Sequence, residues 1–266
     1  MPIPPPESDS IALVTGASSG IGEQFARQLS ARGHRVALVA RREQRLAQLV
    51  QELGGEERAL AIPADLSESA DRDRLVARLE QAGARVEVLV NVAGYGIYRP
   101  FAESDREQEL QQLHLLVEAV IDLMGHYLPA MVRRGRGTII NMSSTAGLQP
   151  LPYNAGYSAA KSYVLTLSEA VHEEVSDHGV TVTAVLPGPV PSGFQEASGA
   201  DYFASRMPKL VFVSPQRVAR DALEAAEAGR ISVIPGGRHV KLAFAPNRRL
   251  PRALVLPVSK RLMARN

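Results

Sequence analysis

The chain has 266 residues, 45% of them hydrophobic and 22% charged, with a net charge of +2 and no cysteine. That length suits a single α/β domain built on one core. The lack of cysteine excludes disulfides, thiolate catalysis and cysteine metal ligands, and no uninterrupted apolar run approaches the roughly 20 residues that cross a bilayer.

Residues 1–10 are rich in proline and polar side chains and lack the basic and apolar regions of a signal peptide, so they read as a flexible arm on a cytoplasmic protein. Apolar, β-rich runs follow at 11–15, 35–39, 59–63, 86–90, 138–142, 180–186 and 231–234, and amphipathic helical patterns fill the gaps. Strands apolar on both faces and separated by helices predict an α/β fold. The expected form is a doubly wound, Rossmann-like parallel sheet of about seven strands with helices on both faces. One dinucleotide-binding and catalytic domain would span 11–240, leaving 241–266 as a basic tail. Residues 228–266 hold nine Lys/Arg and no Asp/Glu, whereas the rest of the chain holds 21 basic and 28 acidic residues. Such a tail suits a solvated surface or a partner contact, with weak contact to an anionic membrane surface as the alternative. No nucleic-acid motif accompanies it, so no nucleic-acid partner is expected.

Directly after the first strand stands Thr15-Gly16-Ala17-Ser18-Ser19-Gly20-Ile21-Gly22, and a helical pattern follows. Glycines at such a strand-to-helix turn let the backbone bend tightly and let a pyrophosphate approach the N–H groups at the helix N-terminus. After the second strand comes Ala40-Arg41-Arg42, where an NAD-selective fold carries a carboxylate for the ribose hydroxyl. Two guanidiniums there suit a 2′-phosphate, so NADP(H) is the expected cofactor, with Ser18 as an added hydroxyl contact. The alternative is that both arginines are simply solvated.

Further along, Tyr157-Ser158-Ala159-Ala160-Lys161 opens a helical pattern, and the four-residue spacing places phenol and ammonium on one face. A phenol is a poor acid/base at neutral pH, and lowering its pKa by about three units takes roughly 4 kcal/mol, which a nearby ammonium helps to supply. Ser144, thirteen residues before Tyr157, follows the strand 138–142 at the sheet edge where such folds bind ligands.

Taken together these motifs resemble the short-chain dehydrogenase/reductase family over about residues 10–240. The resemblance implies that Gly16, Ser18, Ser19, Gly20, Ile21 and Gly22 bind the dinucleotide, with Arg41 and Arg42 on its phosphate and Asp65 and Leu66 beside the adenine. Asn91-Val92-Ala93-Gly94 is similar to the family's Asn-Asn-Ala-Gly signature, which adds Asn91, Ala93 and Gly94 to the cofactor site. Ser144, Tyr157 and Lys161 match the catalytic residues, Tyr157 moving the proton and Lys161 also holding the nicotinamide ribose. Pro187, Gly188 and Val190 match the loop over the nicotinamide, with Ser192 where a threonine is usual. The family likeness also implies a homodimer or homotetramer, through helices near 102–132 and 157–177.

One position departs from the pattern: Leu116 stands where the family usually has an asparagine that holds a relay water. His114 is a conceivable substitute, though a surface histidine is the plainer reading. The implied reaction is NADP(H)-dependent interconversion of a carbonyl and an alcohol. The alternatives are a dinucleotide-binding regulatory protein with weakened catalysis, or a related epimerase or dehydratase. Tyr95, Ile97, Tyr98 and Phe101, the stretch 148–153, and Phe194, Tyr202, Phe203, Met207, Leu210, Val211 and Phe212 suggest an apolar substrate.

Overall fold

The protein is described by a computed structural model over residues 3–191, 207–248 and 250–264. Seven strands form one parallel sheet: β1 (Ser10–Thr15), β2 (Arg35–Ala40), β3 (Ala59–Pro63), β4 (Arg85–Asn91), β5 (Gly137–Met142), β6 (Val180–Val185) and β7 (Ser232–Val233). Their order is β3-β2-β1-β4-β5-β6-β7, so the winding reverses between β1 and β4. At that switch point neighbouring crossovers lie on opposite faces, and a crevice opens beyond the carboxyl ends of the two strands.

Parallel strands need crossovers, and here they are helices that cover both faces. One face packs α1 (Gly20–Ala31), α2 (Glu43–Glu52) and α7 (Pro215–Glu227), burying Phe25, Leu29, Leu46, Leu49, Val218 and Leu223 against Val14, Val36 and Val88. The other packs α3 (Ser69–Gln81), α5 (Ala119–Arg134) and α6 (Ala155–Val175), burying Leu75, Leu79, Leu123, Met124 and Val164 against Leu13, Val39 and Leu89. Both faces of each central strand are therefore dry, which is why these runs read as continuously apolar. β7 is shorter than the run 231–234 because it pairs only with β6 and stops before Pro235, which has no N–H to donate.

α4 (Arg106–Leu113) runs into α5 through a π-turn, His114–Glu118. The joined stretch, residues 106–134, is long and apolar enough by composition to cross a membrane. Here Leu116, Ala119, Val120, Leu123, Met124 and Met131 on one side of it are buried within the protein.

Both chain ends make contacts with the body. Glu7 pairs with Arg85 and Arg136, Asp9 pairs with Arg85 at 2.8 Å, and Ile3 is buried. The basic stretch beyond β7 forms α8 (Arg238–Phe244), a short turn at 245–248 and α9 (Arg252–Met263). Val255, Ser259 and Met263 of α9 are buried, and the Tyr98 hydroxyl donates to the Met263 carbonyl.

Candidate active site

Three glycines shape the turn after β1. Gly16 and Gly20 have φ of 66° and 57°, in the left-handed region that favours glycine. A Cβ on Gly16 would lie 3.0 Å from the Ala93 backbone, and one on Gly22 would collide with the Gly16 carbonyl. Thr15 ties the turn to the next strand: its Oγ1 accepts from the amides of Val92 at 2.9 Å and Ala93 at 3.1 Å and donates to the Val90 carbonyl at 3.3 Å. The glycine turn and the segment from Asn91 to Gly94 thus sit side by side at the switch point. Asn91 is fixed from below, donating at 2.9 Å to Asn141, which in turn donates to Ser168.

The two arginines after β2 have different surroundings. Arg42 reaches across the turn and donates to Ser18 Oγ at 2.9 Å and to Ser19 Oγ at 2.7 Å. Ser19 stands at the N-cap of α1 but makes no side-chain capping bond, so its hydroxyl serves the guanidinium. Arg41 has 71% of its side chain exposed and lies 3.6 Å from Asp65. Asp65 also accepts from Ser67 at 2.7 Å, and the Leu66 carbonyl accepts from Arg72 at 2.9 Å, which fixes this end of β3. A cradle that no Cβ fits, a helix N-terminus, and a guanidinium spanning two hydroxyls together suit a dinucleotide carrying a 2′-phosphate. Ile21 lies half-buried in the first turn of α1.

Ser144, Tyr157 and Lys161 converge beyond the carboxyl ends of β4, β5 and β6. Lys161 and Tyr157 sit one helical turn apart on α6, with Lys161 Nζ 5.7 Å from the centre of the Tyr157 ring. Lys161 Nζ donates to the Met142 carbonyl at 2.7 Å, and burial pushes its pKa down to about 8. Burial pushes the Tyr157 phenol up to about 12, opposed by its hydrogen bond with Ser144. Ser144 is held in turn by the Ala146 amide at 3.1 Å and donates to the Pro187 carbonyl at 3.4 Å. Burial thus shifts both groups toward their neutral forms: the phenol stays protonated at neutral pH, and the amine gives up its proton as the pH rises past about 8.

Leu116 is 1% exposed and its Cδ2 occupies the space in front of Gly94. A Cβ on Gly94 would lie 2.6 Å from that methyl and 3.8 Å from Lys161 Nζ, so both side chains border the same glycine. His114 does not take its place: the ring is exposed and bonded to Glu118 at 2.6 Å, on the outer side of the helix.

After β6, the Pro187 carbonyl accepts from Thr145 at 3.0 Å, the Pro189 carbonyl accepts from Val213, Val190 is buried, and Phe244 of α8 packs against Gly188. Ser192, Phe194, Tyr202 and Phe203 lie outside the described residues. Of the other apolar candidates, Ile97 and Tyr98 are buried, Phe101 and Leu210 are exposed, and Met207, Val211 and Phe212 are half-buried. A cavity of 580 Å³ among Gln28, Phe212, Arg217, Gly236 and His239 contains none of the catalytic candidates.

A sequence model of the short chain dehydrogenases matches residues 10–202. The chain belongs to this family. Among relatives, an uncharacterized oxidoreductase of Staphylococcus epidermidis is 31% identical over 194 residues, covering 73% of this chain and 83% of its own. A ketoacyl reductase of Nostoc is 32% identical over 226 residues, covering 84% and 77%. Among solved structures, a short-chain dehydrogenase from Sphingobium yanoikuyae in complex with NADPH has a TM-score of 0.79 at 31% identity, covering 89% of this chain and 91% of that one. The dehydrogenase fold seen here is thus that of an oxidoreductase family. Two supports of the site belong to no motif in the sequence: Gly147, where a Cβ would stand 2.7 Å from the Lys161 carbonyl, and Asn141. A polar Asn141 inside an otherwise apolar buried strand was the available signal for the second of them.

Proposed function

We propose that the protein is an NADP(H)-dependent oxidoreductase that interconverts a carbonyl and an alcohol on an apolar substrate, with Tyr157 as acid/base. The observation that carries this reading is the convergence of Ser144, Tyr157 and Lys161 on one side of the glycine cradle. NADPH, when bound, supplies the hydride and its electron pair. Every other part of the reaction falls to the chain. Arg42, Ser18 and Ser19 hold the adenosine end, and the glycine turn takes the pyrophosphate. Ser144 donates to the substrate oxygen and orients it toward Tyr157. In reduction the Tyr157 O–H gives its proton to that oxygen as negative charge builds on it, and in oxidation the phenolate takes the proton back. Lys161, protonated and donating to the nicotinamide ribose, supplies the positive charge that favours the phenolate; this offsets the burial that otherwise holds the phenol neutral.

The likeness to a ketoacyl reductase supports carbonyl reduction, and the half-buried Met207, Val211 and Phe212 support an apolar substrate. We also place the enzyme in the cytoplasm, as a homodimer or homotetramer.

Tyr157→Phe tests the mechanism because it removes one oxygen and leaves the ring. Turnover of NADPH with a panel of ketones and aldehydes should fall by about two to four orders of magnitude, the usual contribution of a positioned acid/base. NADPH affinity, read by nicotinamide fluorescence, should stay within a few-fold. Turnover close to that of the unaltered enzyme would remove Tyr157 from its role.

A further inference from the structure

The stretch beyond β7 is amphipathic in a way the catalytic site does not use. In α9 the residues Val255, Ser259 and Met263 recur every four positions and are buried against the body. Next to them on the helix surface runs a second stripe at the same spacing, Leu254, Val258 and Leu262, and it is exposed at 64%, 58% and 54%. Leu242 of α8, at 74%, and Leu250 between the helices, at 46%, extend the exposed apolar surface. Large apolar side chains exposed in such a group mark an interaction surface.

Charge decides what covers it. From residue 228 onward the chain carries nine Lys/Arg and not one Asp/Glu. Among the described cations here, Arg248 is paired to Glu169 on α6, and Arg238, Lys241, Arg252, Lys260 and Arg261 flank the leucines. A second copy of the chain joined through the same face would oppose this basic segment to itself, with no carboxylate in the segment to neutralise it. A layer of anionic headgroups over hydrocarbon matches both features, since cations sit at the headgroups while leucines enter below them.

We propose that the segment 238–264 docks the enzyme on the surface of an anionic lipid bilayer, with Leu254, Val258 and Leu262 inserted and the surrounding Lys and Arg at the headgroups. The segment is anchored to the active-site side of the molecule, because Phe244 packs on Gly188 and Met263 receives the Tyr98 hydroxyl. Docking therefore turns the carboxyl edge of the sheet toward the lipid, from which an apolar substrate can be drawn. The docking itself does not depend on the reaction proposed above.

The test is co-sedimentation of the full chain with vesicles of phosphatidylcholine alone and of phosphatidylcholine mixed with phosphatidylglycerol. The anionic vesicles should bind the protein on the order of tenfold or more tightly than the neutral ones, with the difference shrinking as salt is raised. Leu254→Ser with Leu262→Ser, and separately Lys260→Gln with Arg261→Gln, should each weaken binding on the order of tenfold while NADPH affinity, measured on the same samples, is unchanged. Protein that stays in the supernatant with both vesicles would overturn the proposal, as would equal binding to both. Leucine variants that bind like the unaltered protein would also overturn it. So would a change in molar mass in lipid-free solution with vesicle binding unaltered, which would give the face to a second copy.

Discussion

Burial governs the pH response of Lys161. It pushes the amine, which donates to the Met142 carbonyl, down to about 8. A lysine whose pKa is lowered loses its proton as the pH rises through that value, so reduction that relies on the ammonium should decline above about pH 8. Leu116→Asn puts a polar amide at the glycine that Lys161 also borders, which should make the charged amine less costly and move the alkaline limb of the kcat profile to higher pH. An unmoved limb would show that Leu116 does not set the lysine's environment. The same variant should lose about 1–3 kcal/mol of stability in chemical denaturation from the buried amide, and Leu116→Ala about 2–5 kcal/mol from the cavity it leaves. The two arginines make the same point at the cofactor. Arg42→Ala should weaken NADPH binding by about 1.5–3 kcal/mol, roughly tenfold to over a hundredfold, and leave NADH binding nearly unchanged. Arg41→Ala should do much less, because that side chain is mostly exposed and already faces Asp65. Equal losses for the two variants would show that the phosphate bridges both guanidiniums.

Elements carry these residues into register, and one glycine shows how tightly. The turn at 145–148 lies on the backbone of α6 at Gly147, where a Cβ would stand 2.7 Å from the Lys161 carbonyl and 3.0 Å from Ser143 Oγ. Backbone cannot swing aside as a side chain can, so Gly147→Ala should push α6 away from β5 and shift Tyr157 and Lys161 relative to Ser144. Activity should fall by more than tenfold, since small misplacements in a reacting constellation cost that much, while NADPH affinity falls less. Gly94→Ala is a useful contrast, because the obstructing atom there is the terminal Leu116 methyl and not backbone. The strands and the glycine turn were legible in the sequence because their pattern is local: period, glycine position and flanking helix all lie within one crossover. The Tyr157–Lys161 pair was legible for the same reason. The π-turn at His114–Glu118 was not, since it inserts a residue without changing composition, and it is what directs Leu116 to Gly94 while His114 faces outward. The contacts of the basic stretch with Tyr98 and Gly188 were equally hidden, because they join positions far apart in the chain.

At the scale of the whole molecule, the proposed catalytic residues sit at one edge of the sheet and an ion-pair clamp at the other. Glu87, 1% exposed, lies at the amino end of β4 between Arg85 at 2.6 Å and Arg136 at 2.8 Å. Glu7 of the N-terminal arm spans the same two arginines and Asp9 adds to Arg85, so the arm completes a network whose centre is buried. Hydrogen bonds from Arg85 and Arg136 hold the Glu7 carboxyl below the usual carboxylate range, and the bond from Arg85 does the same for Asp9. A carboxyl lowered in the folded protein stabilises it above the unfolded-state pKa, and that contribution is lost as the pH falls through the folded value. Glu7→Ala with Asp9→Ala should therefore lower the urea midpoint at neutral pH and low salt. The deficit should shrink in high salt, which screens exposed pairs, and vanish in acid, where the unaltered protein has also lost these charges. Because the arm packs at the amino edge and the proposed substrate site lies at the carboxyl edge, kcat and KM should not move. A changed KM would mean that the two edges communicate through β1 and β4. An unchanged midpoint would mean that Arg85 and Arg136 are satisfied by Glu87 alone and that the arm contributes no stability to the sheet.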